Sequence, residues 1–330
     1  MKPTEAIFYL NGAFVPESEA KVSVLDRGFN AGEGVYEVTR TFRHRPFRLR
    51  DHIARLYRSL RYTRIDCGLA ADEMERISLD VLDRNRPFLG PEDDYVIWQV
   101  VSNGIHHSTV TRKADRKATL AIWCMPVNFA GFARDYVEGG MLATPSTRRT
   151  PSECLEAKAK ITNTMNHYIA LAEARLVDPR CWPLMLDIHG NITETHRANF
   201  FFVSAGKLCT PRDKNVLGGI TRTVLIEMAG RLGIPVAEGD YTRFDVYNAD
   251  EAFTAGTSIT IGPIKSLDGI AIGTKVPGPI TLKLLKAWNE MVGIDIVEQA
   301  LAHLTDLDKQ ELLGRWTELN TSRAHQLGKR

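Results

Sequence analysis

The chain has 330 residues, 44% of them hydrophobic and 25% charged, with a formal net charge of +2. That length buries a sizeable core and suits one large or two medium domains, while near-balanced charge gives no reason to expect nucleic acid or an acidic membrane as partner. No apolar run approaches the roughly eighteen residues of a membrane span, and the five cysteines (67, 124, 154, 181 and 209) lack Cys-x-x-Cys spacing.

The expectation from these features is a cytoplasmic protein with reduced thiols, no zinc or other metal site, and no signal peptide in Met1–Gly12. Along the chain, Ile7–Leu10 and Ala13–Pro16 flank Asn11-Gly12, a strong hairpin signal. Residues 51–61 and 73–85 predict helices; in the second, Met74, Ile77, Val81 and Leu82 share one stripe. Apolar runs at 95–101 and 118–126 predict strands that complete a small α/β block.

Periodicity breaks at Asn128-Phe-Ala-Gly-Phe-Ala, which predicts a linker. The second block mixes predicted strands (141–144, 184–187, 200–203) with predicted helices (162–175, 221–232, 279–291), and Ser204-Ala-Gly206 marks a turn. After Val292, the positions Ile296, Ala300, Leu304, Leu312 and Leu313 amid many charges predict an appended helical extension. The expected organisation is a small α/β domain over 1–128, a linker over 129–137, a larger domain over 138–292 and the extension over 293–330.

Chemistry concentrates between residues 160 and 258. Lys160, in Ala157-Lys-Ala-Lys160-Ile-Thr-Asn, offers an amine able to form a Schiff base and shuttle a proton. Glu194, in Ile192-Thr-Glu-Thr-His-Arg-Ala-Asn199, offers a carboxylate. Gly218-Gly219-Ile220-Thr221 before an amphipathic run is a helix N-terminus, whose free N–H groups suit a phosphate. Thr257 and Ser258 follow in Phe253-Thr-Ala-Gly-Thr-Ser258.

In this order and spacing the chain resembles the class IV aminotransferases, the fold-type IV pyridoxal phosphate enzymes. The likeness runs from about Tyr9 to about Val292. It includes Tyr9-Leu-Asn-Gly at the front, Val24-Leu-Asp-Arg-Gly-Phe and Gly34-Val-Tyr-Glu37 after it, and Phe47-Arg-Leu-Arg-Asp-His52-Ile-Ala-Arg55 at the first helix. Thr147-Arg-Arg149-Thr-Pro up to Lys160 is particularly similar to (R)-selective amine transaminases.

The resemblance implies two α/β domains with pyridoxal 5'-phosphate at their interface, and a homodimer. It also implies Lys160 as the Schiff-base lysine. Glu173-Ala174, thirteen residues on, is the family's helix-end pair and selects Lys160 over Lys158. Glu194 would face the pyridine nitrogen, with Asn199 beside it. Arg55, Ile220, Thr221 and Thr257 would hold the phosphate.

Substrate contacts are expected from Tyr36, Ser258, Arg40 (where branched-chain aminotransferases carry an arginine) and Arg112, a candidate carboxylate-binding arginine in the 102–113 loop. The Arg-x-His pair of D-amino-acid aminotransferases is absent there. His106 and His107 lack metal-ligand company, and Arg222 is expected to pair with an acid. The implied activity is ping-pong transfer from an (R)-amine or D-configured donor to a keto acid. A branched-chain L-amino-acid aminotransferase, an aminodeoxychorismate-type lyase and a non-catalytic cofactor binder are the alternatives.

Overall fold

The computed structural model describes residues 4–106 and 117–327, and its contacts divide the chain into two units. Unit 1 comprises residues up to 127 together with 150–166; unit 2 comprises 128–149 and everything from 167 on. Each holds one sheet and its own helices, so the fold is mixed α/β.

Unit 1 opens with β1 (Ile7–Leu10) and β2 (Ala13–Pro16). Asn11 and Gly12 between them both have positive φ, 49° and 101°, as the tight turn requires. A short α1 (Arg27–Ala31) precedes β3 (Gly34–Phe42) and β4 (Arg45–Pro46). Helices α2 (Leu49–Thr63) and α3 (Ala71–Asn85) lead to β5 (Tyr95–Ser102) and β6 (Thr119–Pro126).

The sheet order is β2-β1-β6-β5-β3-β4, with every neighbouring pair antiparallel. Leu49, Ile53, Leu56 and Leu60 of α2 and Met74, Ile77, Val81 and Leu82 of α3 join Val35, Ile97, Val101 and Ile122 in one core. Burial of these side chains, each worth roughly 1.5–3 kcal/mol, holds both helices on one face of the sheet.

In unit 2 the first element corrects the expectation of a linker at 129–137: α4 (Ala130–Glu138) occupies it. Phe129, Phe132, Ala133, Tyr136 and Val137 are buried at helical spacing, a stripe masked by the Asn-Phe-Ala-Gly start. Next come β7 (Gly140–Ala143), α5 (Met165–Val177), β8 (Trp182–Pro183), β9 (Asn199–Ser204) and β10 (Lys207–Pro211). These are followed by α6 (Ile220–Arg231), β11 (Val236–Gly239), α7 (Arg243–Tyr247), β12 (Glu251–Gly256), β13 (Thr260–Leu267) and β14 (Ile270–Ala271).

The strand order is β11-β10-β9-β12-β13-β7-β8, with β14 on β13. A strand expected at 184–187 does not form. Only the isolated Leu186–Ile192 bridge remains, because the Asp187 carboxylate gathers the His189 and Asn191 N–H groups into a turn.

Beyond α8 (Pro279–Val292), the chain is helical in α9 (Ile296–Leu301) and α10 (Asp306–Leu327). Leu312 is fully buried, and Arg134–Asp308 and Glu138–Arg315 ion pairs join α10 to α4. Among the described residues no helix is long and apolar enough to cross a membrane, and no cluster of three metal-ligating side chains occurs.

Candidate active site

In unit 1 the site begins with the alternation of β3. Glu37 faces α2, while its neighbour Tyr36 lies on the opposite face of the sheet. There Tyr36 stacks on Trp98 (5.6 Å between ring centroids), Trp98 on Trp123 (5.7 Å) and Trp123 on Phe8 (6.0 Å), an aromatic row across four strands. Arg40 is fully buried, its guanidinium 4.4 Å from the Phe42 ring centroid.

Helix α2 carries a polar stripe through its apolar face, His52, Arg55 and Ser59, all buried. The Arg55 fork closes on Glu37 through Nε (2.8 Å) and an Nη (2.6 Å), and His52 Nδ1 lies 3.0 Å from the same carboxylate. Burial opposes a charge on Glu37, yet Arg55 and His52 outweigh it and hold its carboxyl far below the usual range. Burial, with Arg55 and Lys160 nearby, pushes the His52 imidazole down despite Glu37.

Lys160 lies on an extended segment alongside the start of β3. Its N–H donates to Ser59 Oγ (3.0 Å), its carbonyl accepts the Tyr36 N–H (3.0 Å), and Ile161 bridges Val35. The ammonium then sits 4.1 Å from the Tyr36 ring centroid, a cation–π distance. Lys158, two residues earlier, is exposed. Unit 1 thus brings Lys160 to Tyr36 and Ser59, while Arg55, one turn of α2 before Ser59, is held by Glu37.

Unit 2 assembles a second group around Glu194. This carboxylate accepts from Arg149 Nε (3.2 Å), Asn199 Nδ2 (3.1 Å) and the Leu217 N–H (3.0 Å). Asn199 also donates to the Leu217 carbonyl (2.9 Å), which ties the Glu194 loop to the start of α6. A Cβ at Gly219 would lie 2.0 Å from Asn199 Oδ1, so a larger residue there would displace the Asn199 side chain.

No side chain caps α6, so the first-turn N–H groups around Ile220 and Thr221 are not taken by a capping side chain. Strand pairing of Ala255 with Asn199 brings in the β12–β13 turn, where Thr257 is half-buried and Ser258 exposed. Glu194, Asn199, Ile220, Thr221 and Thr257 therefore belong to one neighbourhood.

Other expectations fall differently. Arg112 and His107 lie outside the described residues. Arg222 pairs with Glu238 and the Pro211 carbonyl. Arg197 is exposed, whereas His196 meets the edge of Trp182 at 5.1 Å; burial and nearby cations push its imidazole down to about 3. The sequence did not mark Arg149, Glu37, His52 or Ser59 for a role. The 3,4 spacing of His52, Arg55 and Ser59 on a predicted helix was the available signal for three of them.

The description "Amino-transferase class IV" matches residues 34–267. This chain belongs to the class IV aminotransferases. A putative branched-chain-amino-acid aminotransferase of Methanocaldococcus jannaschii is 35% identical over 286 residues, covering 86% of this chain and 95% of the relative. A D-alanine aminotransferase of Listeria monocytogenes is 30% identical over 284 residues, covering 86% and 95%. The crystal structure of a branched-chain aminotransferase from Thermoproteus uzoniensis with norvaline superimposes with a TM-score of 0.76 at 34% identity, covering 87% and 94%.

Similar solved structures include chains captured with pyridoxamine 5'-phosphate and in a pyridoxal phosphate form. The aminotransferase uses pyridoxal 5'-phosphate, as its family does. Its own residues fit that group: the α6 N-terminus has no capping side chain, as a phosphate site needs, and three donors fix the orientation of the Glu194 carboxylate.

Proposed function

We propose that this aminotransferase moves an amino group from an (R)-amine or D-configured amino donor to a keto acid, with Lys160 as the lysine that carries the cofactor. The carrying observation is the placement of Lys160, its backbone pinned by Ser59 and Tyr36 and its ammonium over the Tyr36 ring. The aromatic row beside that amine suits a donor with an apolar substituent.

Pyridoxal phosphate, when bound, supplies an electron sink for the carbanion left when the donor loses its α-proton. Lys160 takes that proton and returns it. Glu194, oriented by Arg149 and Asn199, serves the pyridine nitrogen. Arg55, the α6 N–H groups of Ile220 and Thr221, and Thr257 hold the phosphate. Tyr36 and Ser258 line the substrate's place, and Arg112 is the proposed carboxylate contact.

A second reading is a branched-chain L-amino-acid aminotransferase. It is favoured by the names of the relatives and by Arg40 on β3. The experiment is a half-reaction: cofactor-loaded protein is mixed separately with (R)-1-phenylethylamine, its (S)-enantiomer, D-alanine and L-leucine while cofactor absorbance is followed. Bleaching by the (R)-amine or D-alanine and not by L-leucine supports the first reading; bleaching mainly by L-leucine moves the assignment to the second. Release of pyruvate with no amino acceptor points to lyase chemistry instead.

We also propose a cytoplasmic homodimer, supported by five free cysteines and by exposed Met165, Tyr168, Leu176 and Val177 on α5. Sedimentation showing monomer alone overturns the dimer.

A further inference from the structure

The β12–β13 turn contains an unusual backbone. Gly256 pairs with Thr260 across the hairpin, leaving Thr257, Ser258 and Ile259 as its loop. Thr260 has φ +66° and is buried. The left-handed region is the place for glycine or asparagine, and a β-branched residue there is strained. Such strain persists only where neighbours impose it.

The neighbours are visible. The Tyr136 hydroxyl, on the fully buried face of α4, donates to the Ile259 carbonyl. Tyr136 is itself fixed edge-on by Phe132, 5.7 Å between centroids. Gly262 makes room for the Ile259 side chain: a Cβ there would lie 2.6 Å from Ile259 Cδ1. At the other end of the turn, Gly256 packs on Ala198, 3.1 Å from an added Cβ, and Ala255 is paired to Asn199. Ile259 and Thr260 are thus held inward, while Thr257 and Ser258 are the accessible residues of the loop.

We propose that Tyr136 and the left-handed Thr260 form a positioning device that sets the Thr257–Ser258 turn for the cofactor phosphate before it binds. The proposal rests on the reading of Thr257 as a phosphate contact and adds to it the residues that pre-order that contact. Ordering the loop during folding spares that cost at binding. Neither Tyr136 nor Thr260 touches the phosphate in this scheme; both act through the turn.

The test compares Kd values of apoprotein for pyridoxal phosphate, inorganic phosphate and pyridoxal, which lacks the phosphate, at a temperature well below unfolding. Variants are Tyr136→Phe, Thr260→Gly and the reference Thr257→Ala. Tyr136→Phe is expected to weaken pyridoxal phosphate and inorganic phosphate by about five- to tenfold, the factor one lost hydrogen bond converts to, and to leave pyridoxal unchanged.

Thr260→Gly, which adopts the left-handed backbone without strain, is expected to leave all three Kd values near the parent's. A loss for the phosphate ligands as large as that of Tyr136→Phe overturns the part assigned to the left-handed backbone. Equal weakening of pyridoxal and pyridoxal phosphate by Tyr136→Phe, or no change in either, overturns the positioning role. If Thr257→Ala leaves the pyridoxal phosphate to pyridoxal ratio intact, the phosphate reading of the turn falls instead. The two failures are therefore distinct.

Discussion

Both units bury a carboxylate–arginine pair, but they differ in what stands beside it. Unit 1 buries Glu37, His52 and Arg55 beneath its sheet, with Arg55 matched by a fully buried carboxylate. Unit 2 pairs Glu194 with Arg149 (3.2 Å) and leaves the α6 N-terminus without a capping side chain. A buried ion pair costs desolvation and returns geometry; a helix N-terminus offers partial charge from backbone at no desolvation of a side chain. Unit 1 thus orients its groups through a buried ion pair alone, whereas unit 2 adds a helix N-terminus that no side chain caps.

The largest expected effect separates chemistry from stability. Lys160→Ala should lower turnover by about a thousandfold or more. Its fold should survive, because Ser59 and Tyr36 hold the backbone of residue 160 and not its amine. Steady-state rates alongside thermal unfolding decide the matter. Unfolding of the variant below the assay temperature would show the ammonium to be structural.

Glu37→Gln and Glu194→Gln sharpen the contrast next. Breaking the Glu37 pair strands a buried Arg55, which should cost about 3–5 kcal/mol in denaturant unfolding. Glu194→Gln keeps the shape and one acceptor oxygen, enough for Asn199 and Leu217 but not for Arg149, which is less buried than Arg55. Its stability loss should be smaller, about 2–3 kcal/mol, with the greater loss in turnover. A reversed order, with Glu194→Gln the more destabilising, would remove the distinction between the units.

Much of this was legible in the residues. The Asn11-Gly12 hairpin, the α3 stripe and the order Lys160, Glu194, Gly218-Gly219, Thr257 all follow local rules of periodicity, turn chemistry and helix ends. Partners brought together by distant pairing did not show. Glu37 and Arg55 meet because β3 alternation and an α2 stripe coincide, and Arg149 reaches Glu194 across forty-five positions. The α4 stripe was hidden by a glycine and an asparagine that look like a break. The strained Thr260 has no sequence signal at all, since nothing local calls for a left-handed threonine.

The smallest effect sets the two units against each other in pH. In unit 2, Asp135 on α4 lines a cavity with Met141, Trp182, Thr254 and Ile259, and burial pushes its carboxyl up to about 6 from 3.8, with Lys265 and Arg180 opposing. The folded state therefore binds this proton more tightly than the unfolded state. The associated stability is fully present below about pH 3.8, is lost as pH rises through about 6, and leaves a constant penalty above. Glu37 in unit 1 has the opposite sign: its carboxyl is depressed on folding, so its contribution is present above the unfolded value of 4.5 and is lost as pH falls further. Asp135→Asn should thus stabilise the protein at pH 7 by on the order of 2 kcal/mol and by little at pH 3.5. Denaturant midpoints across pH 3.5–7 for the variant and parent measure that difference directly. A gain of equal size at both ends would mean that Asp135 destabilises through packing, and that burial of its charge is not the cause.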